Sequence, residues 1–430
     1  MASEKHPART CTPCAAFFSV PEEVRALLSR LRSCGHEAYL VGGCVRDALR
    51  GHTPVDYDIT TSALPDEIHS VFSDCRMIDT GIAHGTVTVI WEKKPYEITT
   101  YRVDGNYRDS RHPDAVSFTR DLREDVSRRD FTMNALAYHP DEGVYDYFGG
   151  IADIRAGIIR AVGDPARRFE EDALRILRAL RFSAVLGFQI DGATAAAAKE
   201  KAGGLLAISA ERVREELVKL LRGDHAAAVL SQYPDILALR LPAWRTATER
   251  FGGVDALVRP FPYLADDAAL RLCAFLLPFA GEDGAKEAKD LLDSLRFDHR
   301  TRDRVCKLLS HFHMPYADDE RALRRFTAGL GAPDARLLLS LHGALARACG
   351  DAEKETAVRQ AHTGIDRLVR EGLCSSIADL AVGGEDLLTL GFSKGRAVGD
   401  TLRRLLDAVL DGAVQNEREA LLALARAYLP

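Results

Sequence analysis

Asp56 and Asp58 lie two residues apart in the segment PVDYDIT, and on a β-strand that spacing sends both carboxylates off one face. Two such carboxylates can bridge a pair of hard divalent cations, the arrangement that in-line phosphoryl chemistry uses. Upstream, Tyr39-Leu40-Val41 reads as a strand that breaks at Gly42-Gly43, followed by a short helix over residues 44–50 that Gly51 stops. A double glycine between strand and helix lets backbone amides approach a phosphate, and the start of the helix favours anions. Arg46, one turn in, can add a charge-assisted contact to the same phosphate. Each feature alone has a plain structural alternative: a strand–helix turn, and an acidic strand edge in solvent. Together, with Arg46 between them and a helix-sized gap, they favour a site for metal and phosphate.

Other groups could serve the same chemistry. Glu97, in the strand-like run YEITTYR, offers a third carboxylate of the kind a two-metal site can use, although an isolated strand glutamate more often just faces solvent. In RRDFTMNALAY, residues 128–138, Arg129, Asp130 and Asn134 supply one cation and two polar groups suited to a triphosphate and ribose hydroxyls, with a helix cap at Asp130 as the structural alternative. Residues 154–182 hold seven arginines against four acids and no lysine. On a helix over residues 167–188, Asp172, Arg175, Arg178 and Arg181 spread over one half, while Ile176, Leu177 and Leu180 face the core. An ordinary solvated face would look similar, but arginine without lysine favours planar recognition.

The elements that must position these groups come in two styles. Residues 21–35 read as an amphipathic helix ending near Gly35, and residues 65–72 as a short helix with Asp66 and Glu67 in its first turn. Two strand-like runs follow, joined at Glu92-Lys93-Lys94-Pro95. Residues 104–127 are polar and mixed in charge, the composition of a mobile loop that can order over substrate. Strand signals end after VYDYFGGIADI, and from Asp164 the chain reads as almost entirely helical. The helix over residues 208–221 begins with a cap at Ser209, although Arg212 stands where a capping box wants Glu or Gln, and a structural role is expected for it.

GGCVRD, the gap and DYDIT resemble the signature of the class II tRNA nucleotidyltransferases and bacterial poly(A) polymerases, a group within the DNA-polymerase-β-like nucleotidyltransferase superfamily. RRDFTMNALAY matches the second motif of that group. Glu171-Asp172-Ala173-Leu174-Arg175 matches its EDxxR motif, and the segment beginning VGGEDLL at Val382 resembles the tail of bacterial CCA-adding enzymes. The resemblance implies an α/β plus all-α fold, a polymerase-β-like head followed by a helical neck, body and tail. The expected divisions are a flexible N-terminus to residue 20, a nucleotidyltransferase head 21–160, a helical neck 161–225 for recognition of the nucleotide base, a helical body 226–345 and a helical tail 346–430 for tRNA binding. It also implies template-independent addition of CCA to the tRNA 3′ end from CTP and ATP, with release of pyrophosphate. Asp56 and Asp58, with Glu97, would hold two Mg2+ ions, while Gly43, Arg46 and Arg129 would hold the triphosphate. Asp172 and Arg175 would read the base, with Arg178 and Arg181 completing that surface. Residues 104–127 correspond to the family's flexible loop for the final A, and Lys394 and Arg396 are candidates for RNA backbone contact.

Alternatives stay open at this level. A bacterial poly(A) polymerase of the same fold commonly carries a longer basic C-terminal extension, whereas this chain ends in AYLP. An A-only adding enzyme would look nearly the same, and a non-catalytic RNA-binding relic would be expected to have lost an acidic ligand. No His-Asp dipeptide occurs, so the phosphohydrolase domain of some relatives is not expected.

Composition narrows the class without choosing the chemistry. At 430 residues, two to four domains are expected, and 47% hydrophobic with 28% charged residues suits packed cores under a soluble surface. No apolar run reaches the roughly 18 residues that span a bilayer, so no membrane association is expected, and the N-terminus lacks a signal peptide's apolar segment. A cytoplasmic protein with reduced thiols is expected from nine scattered cysteines, and Cys11 and Cys14 read as incidental. The net charge of −6 means that any RNA-binding surface must be local. The sequence leaves the oligomeric state open, a homodimer among the options.

Overall fold

The computed structural model describes residues 19–104, 116–316, 319–372 and 374–429. Backbone contacts divide the chain into two compact units, Met1–Glu216 and Leu217–Pro430. The CTPC segment and the middle of the 104–127 loop lie outside the described residues.

The first unit is built on seven strands in the order β3-β4-β5-β2-β1 followed by two later strands. In chain order these are β1 Ala38–Val41, β2 Asp58–Thr61, β3 Arg76–Ile78, β4 Thr86–Trp91 and β5 Lys94–Thr100. Two short strands, β6 Arg102–Asp104 and β7 Val116–Phe118, pair only with each other, and the sheet is completed by β8 Leu136–His139 and β9 Gly143–Asp146. Every pairing in the seven-stranded sheet is antiparallel except β2 with β5, which run parallel in the register Ile59↔Ile98. A parallel pair cannot be joined by a tight turn. The chain from β2 to β5 accordingly passes through the helix Pro65–Val71 and the β3–β4 hairpin. The β4–β5 turn is two residues, Glu92 (φ 48°) and Lys93 (φ 68°), the pair of positive φ values that suits the right-handed twist of a hairpin.

The helices of this unit include α1 Glu22–Ser33, α2 Gly43–Leu49, α3 Pro65–Val71, α4 Leu122–Ser127, α5 Gly150–Ala156, α6 Pro165–Glu171, α7 Leu174–Leu186 and α8 Gly192–Glu200, and α9 Ala210–Leu221 begins in it and runs past its last residue, Glu216. Val24, Leu27, Leu28 and Leu31 of α1 are buried, a stripe at helical spacing. Asp121 caps α4 through the Arg123 amide at 2.8 Å, and Asp164 caps α6 through the Ala166 amide at 2.9 Å.

The single helix expected over residues 167–188 is two helices. Asp172 adopts an extended backbone (φ −148°, ψ 103°) between α6 and α7, and its side chain accepts from the Leu174 amide at 3.0 Å. Aspartate competes for backbone donors in this way and so breaks helices while starting new ones. Strand structure also continues slightly past the expected end, with Ile158–Ile159 pairing parallel to Gln189–Ile190.

The described part of the second unit is entirely helical. Trp244 stacks on Phe275 with centroids 4.7 Å apart, and its indole N–H donates to the Phe275 carbonyl at 2.9 Å. Residues between Cys374 and Ala425 form a separate apolar cluster around Leu387, Leu405 and Leu421, each fully buried. The helix Glu320–Leu330 is joined to Asp411, after the helix Arg396–Leu410, by ion pairs from Arg321 (2.8 Å) and Arg325 (2.6 Å).

Candidate active site

Asp58, Asp56, Arg129 and the Gly42 turn come together where β1 ends and β2 begins. The antiparallel register sets Val41 against Asp58, so the Gly42 turn leaves one strand beside the carboxylate that opens the other. Asp58 is the first residue of β2, whereas Asp56 precedes the strand, contrary to the expectation that both ride on it. Their proximity therefore comes from the approach loop. Both are exposed. The protein around Asp58 raises its carboxyl above the ordinary range, Arg129 opposes that, and the charge on Asp56 adds to it. A carboxylate pair that repels itself gains from a shared cation.

Extending the parallel β2–β5 register by one residue brings Glu97 abreast of Asp58, and Glu97 is exposed. Among the described residues no group of three or more His, Cys, Asp or Glu side chains is placed to hold a metal ion. Two carboxylates with open positions are the donor set that a magnesium ion completes with water and substrate phosphate.

Gly42 is the enforced glycine of the pair. Its φ of +75° excludes most side chains, and a Cβ there would stand 3.0 Å from Arg129 Nη1. At Gly43 a Cβ would meet only Arg46 Nη2 at 3.6 Å, an ordinary contact. The sequence pointed to Gly43; the backbone singles out Gly42. Arg129 is held over this turn. Its Nε is buried without a hydrogen-bond partner, and its ion pair with Asp125 is long at 3.8 Å. Burial lowers its pKa, with Asp125 and Asp58 opposing the shift. A desolvated cation with unused donors beside a bare backbone turn is what a phosphate would satisfy.

Asp125, which the sequence did not single out, organises this corner. It is fully buried and accepts from Thr60 Oγ1 on β2 at 3.1 Å, the Arg102 amide at 3.3 Å and Arg128 Nη2 at 2.8 Å. Burial alone would raise its pKa, but Arg128 and Arg129 bring it below the ordinary value. Its partners lie from 3 to 65 residues away, so no local pattern reveals them.

Arg46 is not open to solvent. Its Nε and Nη2 each donate to Asp47 at 2.9 Å, Nη1 donates to Asn134 Oδ1 at 2.8 Å, and the guanidinium lies 5.1 Å from the Phe182 ring centroid. Asn134 donates to Asp130 Oδ1 at 3.0 Å, while Arg178 Nε donates to Asp130 Oδ2 at 2.8 Å. Asp130 is buried, which by itself would raise its pKa, but Arg178, Asn134 and the Phe131 amide bring it down to about 2. Arg181 pairs with Glu216 at 2.6 Å, with its guanidinium carbon 3.7 Å from the Phe182 centroid. The arginine face of α7 is thus largely spent on tying α7 to α9 and to the RRDF segment.

The side chains of Asp172 and Arg175 do not bond to each other, although the Arg175 amide donates to the Asp172 carbonyl at 3.1 Å. Arg175 is buried and donates to the carbonyls of Arg168 and Arg128, both at 3.1 Å, and to Glu171 at 2.8 Å. Asp172 is gripped by Arg212 of α9, whose Nη2 reaches Oδ2 at 2.7 Å and Nη1 reaches Oδ1 at 3.3 Å. Arg212 belongs to the helix for which the sequence suggests only bracing. Its position three after Ser209, where a reciprocal cap needs an acceptor, was the available sign that its charge is directed elsewhere.

A phosphate-ready glycine turn, two carboxylates at the adjoining strand and a helical segment carrying a held carboxylate define a nucleotidyltransferase. The "Poly A polymerase head domain" family matches residues 38–160, "Probable RNA and SrmB-binding site of polymerase A" matches 187–233, and "tRNA nucleotidyltransferase domain 2" matches 273–425. The chain is 35% identical over 410 residues to the CCA-adding enzyme of Limosilactobacillus fermentum, covering 94% of this chain and 96% of that one. It is 33% identical over 417 residues to the CCA-adding enzyme of Staphylococcus epidermidis, covering 95% and 98%. Among solved structures, the Bacillus stearothermophilus CCA-adding enzyme in complex with CTP superposes with a TM-score of 0.79 at 31% identity over 95% of this chain and 97% of that one. The Thermotoga maritima CCA-adding enzyme complexed with tRNA, TM-score 0.61 at 23% identity over 96% and 97%, shares the fold. The chain belongs to the CCA-adding enzyme family.

Proposed function

We propose that this protein adds CCA to the 3′ end of tRNA, taking CTP and ATP without a nucleic-acid template and releasing pyrophosphate. The observation that carries the reading is the joint placement of Asp56 and Asp58 beside the Gly42 turn, with Arg129 over that turn. Asp56 and Asp58 would hold Mg2+, with Glu97 abreast of Asp58. The metal would favour ionisation of the tRNA 3′-hydroxyl and offset charge on the departing pyrophosphate. Arg129 and the Gly42 backbone hold the triphosphate; Arg46, through Asn134, holds the segment that carries Arg129 in place.

Cytosine and adenine present an exocyclic amino donor beside a ring-nitrogen acceptor, while uracil and guanine present a carbonyl beside a ring N–H. Asp172 accepts from the amino group, and Arg175 donates to the ring nitrogen after giving up one of its present bonds. A wrong base sets acceptor against acceptor and leaves buried groups unpaired. Arg212 fixes the Asp172 carboxylate for that task. Among the described residues no helix is long and apolar enough to cross a membrane, and the described cysteines are unpaired, which suits action in the cytoplasm.

The test is incorporation by the purified protein with CTP and ATP on three RNAs: tRNA ending before its CCA, tRNA ending in CC, and an unrelated RNA. Addition of CC and then A, confined to tRNA, is the expected outcome. Long A tracts on unrelated RNA would make it a poly(A) polymerase, and A addition restricted to the CC end would make it an A-only enzyme.

A further inference from the structure

The carboxylate assigned to the base stands on a one-residue joint. Asp172 is extended between α6 and α7, and Ala173 leads straight into α7. Two things hold that joint. One is Arg212, whose first bond to Asp172 is 2.7 Å and whose second is already long at 3.3 Å. The other is shape. After α8 the short 3₁₀ helix Ala202–Ala207 passes against Ala173, and a Cβ placed on Gly204 would stand 2.9 Å from the Ala173 Cβ. At the adjacent Gly203 a Cβ would meet nothing within 4 Å. The requirement for a bare backbone therefore falls on one glycine of the pair, the one that faces the joint.

The 3₁₀ segment has little freedom to retreat. Ala202 and Leu205, which flank the two glycines, are buried, and Lys201 at its start pairs with Glu170 of α6 at 2.7 Å and with Glu200 at 3.0 Å. The joint is the softer partner. A cavity of about 340 Å³ opens beside it, between Phe169, Glu170, Ala173 and Lys201. Apart from Arg212, the Asp172 side chain is fixed by the Leu174 amide at 3.0 Å. Carbon atoms rest about 3.5–4.0 Å apart, so a side chain at position 204 would push the joint by roughly 0.6 Å or more. A recognition group must be held to within about 0.5 Å of its productive position, and the 3.3 Å bond from Arg212 has no slack to absorb the shift.

We propose that Gly204 is a positioning residue for nucleotide selection: its bare backbone, seated against Ala173, sets where the Asp172 carboxylate meets the base. The inference rests on the proposed role of Asp172 and adds to it a residue that acts only through Ala173. Displacing the joint weakens the bond from the exocyclic amino group to Asp172, which cytosine and adenine make and uracil and guanine do not. The accepted bases therefore lose more than the rejected ones, and selectivity falls. The metal carboxylates and the Gly42 turn lie on other elements, so triphosphate binding and metal dependence stay as they are.

The test compares Gly204→Ala, Gly203→Ala, the double variant Ala173→Gly/Gly204→Ala and Asp172→Ala in the full chain. For each, kcat/KM is measured with all four triphosphates on tRNA lacking its CCA end, together with the Mg2+ dependence of CTP incorporation. A bidentate base contact discriminates by roughly tenfold to a hundredfold, so a displaced one in Gly204→Ala should lower the preference for CTP over UTP by about threefold to tenfold. Its Mg2+ dependence should match the wild type. Gly203→Ala, the same chemical change where no contact exists, should select like the wild type. The double variant, which returns one methyl group to the contact, should recover selectivity to within about twofold. Wild-type selectivity in Gly204→Ala would overturn the proposal, as would an equal change in Gly203→Ala or a double variant no better than Gly204→Ala alone. If Gly204→Ala does not fold, the double variant decides: it must fold and select like the wild type, and failure to do so overturns the assignment. If Asp172→Ala keeps wild-type selectivity, the base-reading assignment fails and this one falls with it; if Asp172→Ala loses selectivity and Gly204→Ala keeps it, only the role of Gly204 falls.

Discussion

Asp130→Asn should destabilise the first unit by an amount that depends on pH. In the folded protein the Asp130 carboxyl sits at about 2, against an ordinary value of 3.8. At 1.36 kcal/mol for each tenfold step in the proton equilibrium, that difference is worth about 2.5 kcal/mol. The folded value is depressed, so the contribution is fully present above the ordinary value and is lost as pH falls through the folded one. It falls to about half by pH 3. The variant's amide must turn a donor toward either Arg178 or Asn134, so the total loss at pH 7 should be about 2.5–4 kcal/mol. For a unit of about this size each kcal/mol moves the melting point by roughly 2–4 °C, giving a drop of at least about 5 °C. The assay is urea unfolding followed by Trp91 fluorescence in a Trp244→Phe background, since the chain has two tryptophans and Trp91, edge-on to Phe72 at 6.3 Å, belongs to the first unit. The gap between variant and parent should shrink by about 1 kcal/mol between pH 7 and pH 3. A gap below about 1 kcal/mol at pH 7, or one that ignores pH, would refute the assignment of Asp130 as the ionised hub between Asn134 and Arg178.

Asp58→Ala and Asp56→Ala should each cut nucleotide incorporation by about 10³-fold or more, roughly 4 kcal/mol of barrier, with tRNA affinity retained in a filter-binding assay; appreciable Mg2+-dependent turnover in either would remove the pair from the metal. Arg212→Ala should resemble Asp172→Ala in relaxing rejection of UTP and GTP by about tenfold in single-nucleotide incorporation, because a bidentate base contact discriminates by roughly 1–3 kcal/mol. Uniform loss with selectivity kept would make Arg212 scaffolding. Asp125→Asn should raise KM for both triphosphates more than it lowers kcat, by releasing Arg129 from its place over Gly42, and equal effects on the two constants would argue for general destabilisation.

What could be read from the sequence was whatever local spacing carries. The strand, glycine turn and helix that begin at Tyr39 stand as read, because apolar runs and glycine punctuation act within a few residues, whereas the second strand starts only at Asp58 and leaves Asp56 in the loop before it. The hairpin at Glu92-Lys93 also stands, though its two positive φ values fall on residues whose identities do not announce them. The parallel pairing that sets Glu97 beside Asp58 could not be read, since register across a crossover depends on long-range packing. Arg46 donates both to the adjacent Asp47 and to Asn134, 88 residues on, and the motif could show only the first of these partners. The break at Asp172 is hidden because helical periodicity continues through it; aspartate's preference for backbone donors was the contrary sign. Arg212 is inconspicuous because its neighbours read as an ordinary cap.

Among the described residues the apolar cluster between Cys374 and Ala425 is formed by residues from Cys374 onward, and the sheet lies in the first unit. Cooperativity extends only as far as shared packing, so this chain should melt in steps and have no single free energy of unfolding. The last fifty-odd residues, joined to the helix Glu320–Leu330 through Asp411, can open as a foldon of their own. Amide exchange should then show a protection plateau for that segment distinct from that of the β-sheet. A mutation in one core would leave the other's exchange rates untouched, so sequence drift in the tail carries little thermodynamic penalty for the catalytic sheet.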